Sequence, residues 1–170
     1  MKTPKEFTKN LKNGLVTTEM LGAAIYSFNK RAKNWRDNMR ELIERRRWAE
    51  WWEKQYIQRS IDDAEYKKDE YYGYKDYLLS LVPPIQIHHC QRWNERRQEH
   101  IDEYFQLFQV ANYSFHHPIT EAEAQKSNLD IAELPSDFST EGEDIEELVS
   151  VQFATKIVRG LKHGELRLAA

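Results

Sequence analysis

The sequence predicts a mainly helical α+β protein with a long N-terminal helical arm and a small C-terminal lobe that holds a minor β-sheet. Residues 18–80 contain no proline and only two glycines, Gly22 and Gly73, among many strong helix formers. Pro83-Pro84 ends this stretch, because prolines stop a helix. Short segments of alternating apolar and polar residues follow. We therefore divide the 170 residues into an arm at 1–82 and a lobe at 83–170.

The arm begins with a short helix. Thr3 is suited to cap it, with Pro4 at the first helical position, and Gly14 ends it. Thr17 or Thr18 then caps the long helix, which we predict over residues 18–80 as one helix or two collinear ones.

Apolar residues in the first half of the long helix recur at alternating steps of four and three. They are Leu21, Ile25, Phe28, Ala32, Trp35, Met39 and Leu42. This spacing predicts one buried stripe and a possible homodimer contact along Leu21–Leu42. A second stripe begins at Ile57, and we expect any break at Ser60-Ile61-Asp62-Asp63, where Ser60 can act as an N-cap.

The lobe alternates short strands with helices. We predict strands at Ile85–His88, Tyr113–His116, Leu129–Leu134 and Leu166–Leu168.

Three helices are expected between and after these strands. The first covers Gln91–Val110 and carries apolar residues at helical spacing. The second is a short helix opened by a capping box of Thr120 and Glu123. Ser139 or Thr140 caps the third, whose apolar face ends near Gly160 or Gly164.

Charge is unevenly distributed along the chain. The net charge is −3, yet residues 1–60 hold 14 Lys and Arg against 7 Asp and Glu, and residues 121–170 hold 5 against 11. This asymmetry indicates a basic surface for nucleic acid or an acidic partner and a separate acidic surface. Alternatively, the two ends attract each other within the fold.

The cysteine content and the hydropathy indicate the cellular compartment. The single cysteine, Cys90, excludes an internal disulfide. We find no apolar run long enough to span a bilayer and no signal peptide at the N-terminus. These features predict a cytoplasmic protein with no membrane contact.

Basic and aromatic residues concentrate in the first half of the long helix and just after it. Trp and Arg are the commonest interface hot spots, and a basic helical face can follow phosphates. Burial of the tryptophans by the C-terminal half and a merely solvated basic face are the alternatives. The candidate interaction residues are Lys30, Lys33, Arg36, Arg40, Arg45, Arg46, Arg47, Trp48, Trp51 and Trp52.

A second candidate surface is acidic and lies at the predicted start of the last helix. Acids there offset the helix dipole, and five acids also suit a patch that competes for a basic channel on a partner. The residues are Glu141, Glu143, Asp144, Glu146 and Glu147.

Catalytic and metal motifs are not recognisable. His88, His89 and Cys90 are adjacent, and His116 and His117 form a second pair, so a zinc site or a Cys–His nucleophile is conceivable. Adjacent strand residues point to opposite faces, however, and the ligand spacing of known zinc motifs is missing. We predict no catalytic residue, no metal and no cofactor.

Two stretches resemble a known group of proteins. Residues Thr3–Phe7 through Tyr26–Asn34, and Gly142–Phe153, are similar to small proteins of phages and mobile elements of Firmicutes, among which are anti-CRISPR proteins that inhibit Cas9. The resemblance implies a non-enzymatic inhibitor that binds a Cas nuclease or its guide–target complex. It does not indicate which surface binds.

The leading expectation is therefore a macromolecular interaction protein of the anti-CRISPR type. One alternative is an accessory protein that binds nucleic acid through Lys30 to Arg47. Others are a small metal- or Cys-dependent enzyme and a helical oligomer joined through the Leu21–Leu42 stripe.

Overall fold

A computed structural model describes residues 4–140 and 145–169, and it confirms a mostly helical α+β fold. Contacts divide the chain into two compact units. The helical unit comprises residues 1–80 and 147–170, and the sheet unit comprises residues 81–146. The predicted lobe at 83–170 differs from this division at its end, because residues 147–170 group with the N-terminal helices.

The helical unit contains four helices and a two-stranded parallel sheet in its described residues. Leu15 lies opposite Arg167 in that sheet, so the predicted C-terminal edge strand finds its partner near the N-terminus. The elements are α1 (Lys5–Lys12), β1 (Leu15–Val16), α2 (Thr18–Trp48), α3 (Trp51–Leu79), α5 (Val151–Lys162) and β6 (Arg167–Leu168).

The ends of these helices follow the local sequence. The Thr17 hydroxyl accepts a hydrogen bond from the Met20 N–H at 3.3 Å, which confirms the predicted cap of α2. Helix α1 starts after Pro4, and Gly14 follows its end with a φ of +74°. The predicted cap Thr3 lies outside the described residues.

Helices α2 and α3 fold back on each other as an antiparallel hairpin. Lys75 Nζ donates to Asn29 Oδ1 at 3.0 Å, and Lys67 Nζ lies 4.4 Å from the centre of the Trp35 ring. Near the turn, Arg46 donates to the Gln58 amide oxygen. The contacts therefore pair late residues of α3 with early residues of α2, as antiparallel helices require.

The predicted alternative of two helices separated by a break is confirmed, whereas their collinear arrangement and the break at Ser60–Asp63 were wrong. The chain turns at Ala49 and Glu50, whose ψ angles of 154° and 152° are extended. Both residue types favour helix, so the local sequence gives no break signal there. The turn lets the first apolar stripe pack against Ile61 and Ala64, which a straight helix would leave in water.

The core of the helical unit lies in the half of the hairpin that is far from this turn. The buried residues of α2 are confined to positions 20–32. Phe28 is fully buried, and its ring lies 5.2 Å from the Tyr74 ring and 6.2 Å from the Tyr71 ring. Helix α5 adds the buried residues Phe153 and Ile157.

The sheet unit holds a four-stranded mixed sheet and one short helix. The strand order is β4-β3-β2-β5, with β5 parallel to β2 and the other pairs antiparallel. The elements are β2 (Gln86–Asn94), β3 (Glu99–Val110), β4 (Tyr113–Ile119), α4 (Glu121–Lys126) and β5 (Ile131–Leu134). The Thr120–Glu123 capping box of α4 is confirmed.

The predicted helix at Gln91–Val110 was wrong, because this segment forms the last part of β2, from Gln91 to Asn94, and all of β3. The strands are joined by a turn in which the Asn94 side chain accepts from the Arg97 N–H at 2.9 Å. Gln98 adopts a φ of +54° in this turn. Aromatic and β-branched residues of β3 suit strands as well as helices, so pairing with β2 and β4 decided the outcome.

The last helix starts later than predicted. Helix α5 begins at Val151, and the Ser150 hydroxyl, not that of Ser139 or Thr140, accepts from the Phe153 N–H at 3.2 Å. No helix in the described part of the chain is long and apolar enough to cross a membrane.

Candidate functional site

The end of the α2–α3 hairpin carries the candidate interaction site, which we call the tip. It comprises the last turn of α2, the Ala49-Glu50 turn and the first turns of α3. No side chain from position 33 to position 60 is buried. The tip is therefore built from two helices that cover only each other.

The tryptophans of the tip are exposed. The exposed fractions are 79% for Trp48, 83% for Trp51 and 52% for Trp52, and Tyr56 is 59% exposed. The expected alternative, in which the C-terminal half buries these rings, is therefore wrong. The three indoles leave on the order of 400 Å² of mostly apolar surface in water, the size of patch that usually serves a function.

Local contacts hold one of these rings in place. Trp48 Nε1 donates to Glu44 at 3.0 Å, one turn earlier in α2. The other carboxylate oxygen of Glu44 lies 3.4 Å from Arg47. On the neighbouring side of the tip, the Arg59 guanidinium sits 6.0 Å from the centre of the Tyr56 ring.

The predicted basic face divides into two parts. Nearer the core, Lys30, Lys33 and Arg36 are half-buried, and Arg36 lies 3.2 Å from Asp37. Burial raises the pKa of Tyr72, and the nearby Arg36 and Arg40 oppose that rise.

Nearer the tip, Arg40, Arg45 and Arg47 are exposed, whereas Arg46 is half-buried and bonded to Gln58. The structure thus leaves fewer cations free to meet a partner than the sequence pattern indicates.

A groove runs beside Trp48 across the two helices of the tip. Its volume is about 560 Å³. We call its apolar lining residues the floor and its charged lining residues the rim, and most of the charged residues are acidic. The lining residues are Glu41, Glu44, Arg45, Trp48, Ala49, Glu53 and Ile57.

The sequence pattern did not indicate Glu41, Glu53 or Ile57 as residues of this site. Glu41 and Ile57 are sixteen positions apart in the chain. No local signal joins them, because only the hairpin brings α2 and α3 together.

The structure describes two residues of the predicted acidic surface, Glu146 and Glu147, and neither lies at a helix start. Glu146 and Glu147 precede α5 by several residues, so they do not lie in its first turn. Glu147 is buried, and its carboxylate lies 3.8 Å from Arg31. Glu146 is exposed. The remaining members, Glu141, Glu143 and Asp144, lie outside the described residues.

The first half of the stripe proposed for a homodimer is buried inside the chain, whereas Trp35, Met39 and Leu42 are half-buried. Leu21, Ile25, Phe28 and Ala32 are at most 1% exposed. A second copy cannot reach these side chains without opening the core.

The sheet separates His89 from His88 and His116, which contact each other on the other face. His88 Nδ1 lies 3.0 Å from His116 Nε2, and burial lowers the His88 pKa. His89 lies on the opposite face and contacts Glu133 at 2.6 Å and Asp102 at 2.8 Å; the hydrogen bond to Glu133 is the main reason its pKa is raised.

Cys90 is fully buried, and its thiol donates to the Pro135 carbonyl at 3.3 Å. It is therefore placed as a packing residue rather than as an accessible nucleophile. Within residues 4–140 and 145–169, no group of three or more His, Cys, Asp or Glu side chains is arranged to hold a metal ion.

The geometry thus places the three tryptophans and the distal arginines at the tip, whereas the first half of the apolar stripe is buried in the core of the helical unit. No protein-family model, curated protein or solved structure matches this chain.

Proposed function

We propose that this protein is a non-enzymatic interaction protein that binds another macromolecule through the tip of its helical hairpin. The observation that carries the proposal is the exposure of Trp48, Trp51 and Trp52 at the end of two packed helices. Large exposed rings lower solubility, so a chain that keeps three of them together at the end of two packed helices has a use for that surface.

The side chains of the tip, and the contact that holds one of them, make the tip suitable for binding. Trp and Arg side chains contribute most often to interface hot spots, and both are present here. The Glu44 contact orients Trp48 before binding, which lowers the entropy lost when a partner covers the ring. Each well-covered tryptophan then contributes about 2 kcal/mol or more to binding.

The partner we propose is a Cas nuclease or its guide–target complex, with the protein acting as an inhibitor. This part of the proposal rests on the resemblance of the two sequence stretches to anti-CRISPR proteins. Binding at the tip would block DNA recognition or cleavage.

The test is capture of a Cas9–guide RNA complex by the tagged protein, with the dissociation constant measured by biolayer interferometry. The triple variant Trp48→Ala/Trp51→Ala/Trp52→Ala is expected to weaken binding at least 100-fold, since three hot-spot rings are removed. Trp93→Ala is the control, because Trp93 is 51% exposed, close to the 52% of Trp52, but lies in the sheet unit.

Two outcomes would count against the proposal. Equal binding by the triple variant and the wild type would show that the tip is not the binding site. No binding by the wild type would show that the nuclease is not the partner.

Direct nucleic-acid binding is the second candidate, and the exposed Arg40, Arg45 and Arg47 on α2 favour it. This candidate predicts an affinity for bare duplex DNA that falls steeply as the salt concentration rises. Under this candidate, Lys33→Glu/Arg36→Glu/Arg40→Glu weakens DNA binding and lowers the salt slope, whereas the tryptophan variant has the smaller effect.

A further inference from the structure

The groove beside Trp48 has a chemical character that narrows the choice of partner, provided that the tip is the binding site proposed above. Its floor consists of Trp48, Ala49 and Ile57, contributed by both helices and the turn. A volume of about 560 Å³ accommodates a few side chains of a bound segment. The groove is thus large enough to take apolar anchors.

The rim of this groove is acidic. Glu41 and Glu44 come from α2 and Glu53 comes from α3, against the single cation Arg45. Glu44 is already engaged by Trp48 and Arg47. Glu41 and Glu53 form no ion pair with any other described residue, so two carboxylates on opposite helices remain available around an apolar floor.

We infer that the groove binds a basic segment of a protein, one that combines Lys or Arg with apolar anchors, and that it does not bind a nucleic-acid strand. Charge complementarity decides between them. Phosphates approaching the floor would meet the carboxylates of Glu41 and Glu53, whereas cationic side chains would be attracted.

The shape of Lys and Arg agrees with this charge pattern. Their long apolar stems can lie on Trp48 and Ile57 while the charged heads reach the glutamates at the rim. A cation over the exposed Trp48 ring adds a cation–π contact. An amphipathic helix laid into a groove supplies such side chains at the spacing of one or two turns.

The experiment uses the full-length protein and a defined probe, a 14-residue amphipathic helical peptide of Lys and Leu. Its counterpart with Glu in place of Lys and a 20-nucleotide single strand of DNA serve as alternative ligands. Binding is measured by isothermal titration calorimetry at 0.15 M salt, where distant charges are screened. We expect the Lys–Leu peptide to bind and the other two ligands not to bind.

The variant Glu41→Gln/Glu53→Gln tests what the two rim carboxylates contribute to binding. We expect it to bind the Lys–Leu peptide about tenfold more weakly, because two charge contacts are lost. Glu65→Gln/Glu146→Gln is the matched control, since it removes the same net charge from exposed positions outside the groove. It should bind within about twofold of the wild type, and thermal unfolding should show both variants folded.

Trp48→Ala separates this inference from the proposed function. If Trp48→Ala abolishes binding while the rim variant and the control bind alike, the site stands and its preference for a basic segment is wrong. Preference for the Glu–Leu peptide or for DNA overturns the inference in the same way. If neither Trp48→Ala nor the rim variant changes binding, the tip is not the site and both proposals fail.

Discussion

The two halves of the α2–α3 hairpin differ in what covers them. The half that contains Met20 to Ala32 is packed into a core with α5, whereas the half from position 33 to the turn has only the partner helix. The same apolar stripe runs through both halves. Its contribution to stability therefore depends on the third element, and the part without one stays half-buried or exposed.

The largest expected effect on stability comes from a substitution in the half of the hairpin that is packed into the core. Phe28→Ala removes a fully buried ring that stacks on Tyr71 and Tyr74, and the cavity cannot close readily between two rigid helices. The free energy of unfolding should fall by about 3–5 kcal/mol. Urea denaturation followed by circular dichroism measures it. A loss under 1 kcal/mol would show that this half is not the stabilising core.

The next effect concerns Lys75, which is 7% exposed in the core half and contacts Asn29 and the Tyr72 ring. Burial lowers the Lys75 pKa from 10.5 to about 8. Between these values the unfolded chain binds more protons than the folded one, so stability rises with pH there. Below pH 8 the buried charge costs up to about 3 kcal/mol.

Lys75→Met should therefore raise the free energy of unfolding at pH 7 and flatten its rise between about pH 8 and pH 10.5. Chemical denaturation at several pH values, with the wild type in parallel, checks this. Lys67→Met is the control, because Lys67 is only half-buried and lies over Trp35. The same upward slope in Lys75→Met as in the wild type would contradict the expected cause.

A smaller effect is expected where two helices alone bury a side chain. Ile61 is 5% exposed and belongs to the half of the hairpin near the tip. Ile61→Ala should cost about 2 kcal/mol, at the low end for buried aliphatic residues, since the exposed surroundings can relax. Hydrogen exchange should show α3 near Ile61 opening more readily than α3 near Leu78. Equal protection of the amides near Ile61 and near Leu78 would show that the two halves of the hairpin do not differ in local stability.

The smallest effect on stability is expected at the tip itself. Trp51 is 83% exposed, so Trp51→Ala should change the free energy of unfolding by no more than about 0.5 kcal/mol. The same variant should weaken binding of the partner. Thermal unfolding and the binding assay on one preparation separate the two readouts, and a large stability loss would show that Trp51 packs against something in solution.

The sequence was sufficient wherever a local rule decided the structure. The Thr17 cap, the Thr120–Glu123 capping box and the end of α3 before Pro83-Pro84 were all predicted and confirmed. Each depends on side chains within a few residues of the backbone groups that they satisfy. The arginines and tryptophans of the tip were likewise visible as a cluster in the chain.

Local rules failed where distant partners decided the outcome. Phe105 and Phe108 fit a helix by spacing, yet pairing of β3 with two neighbouring strands made the segment a strand. Ala49 and Glu50 favour helix, yet the chain turns there. The start of α5 was placed too early for the same kind of reason, because capping residues occurred at several positions and packing selected Ser150.

The sequence by itself determined a mainly helical α+β protein, with a stripe of apolar residues and a group of tryptophans and arginines close together in the chain. Only the tertiary structure decided that the first half of the stripe is buried in the core and that Trp48, Trp51 and Trp52 stay exposed. It also joined Glu41 with Glu53 around a groove. The physical reason is that helix formation is local, whereas burial depends on which segment folds back to cover another.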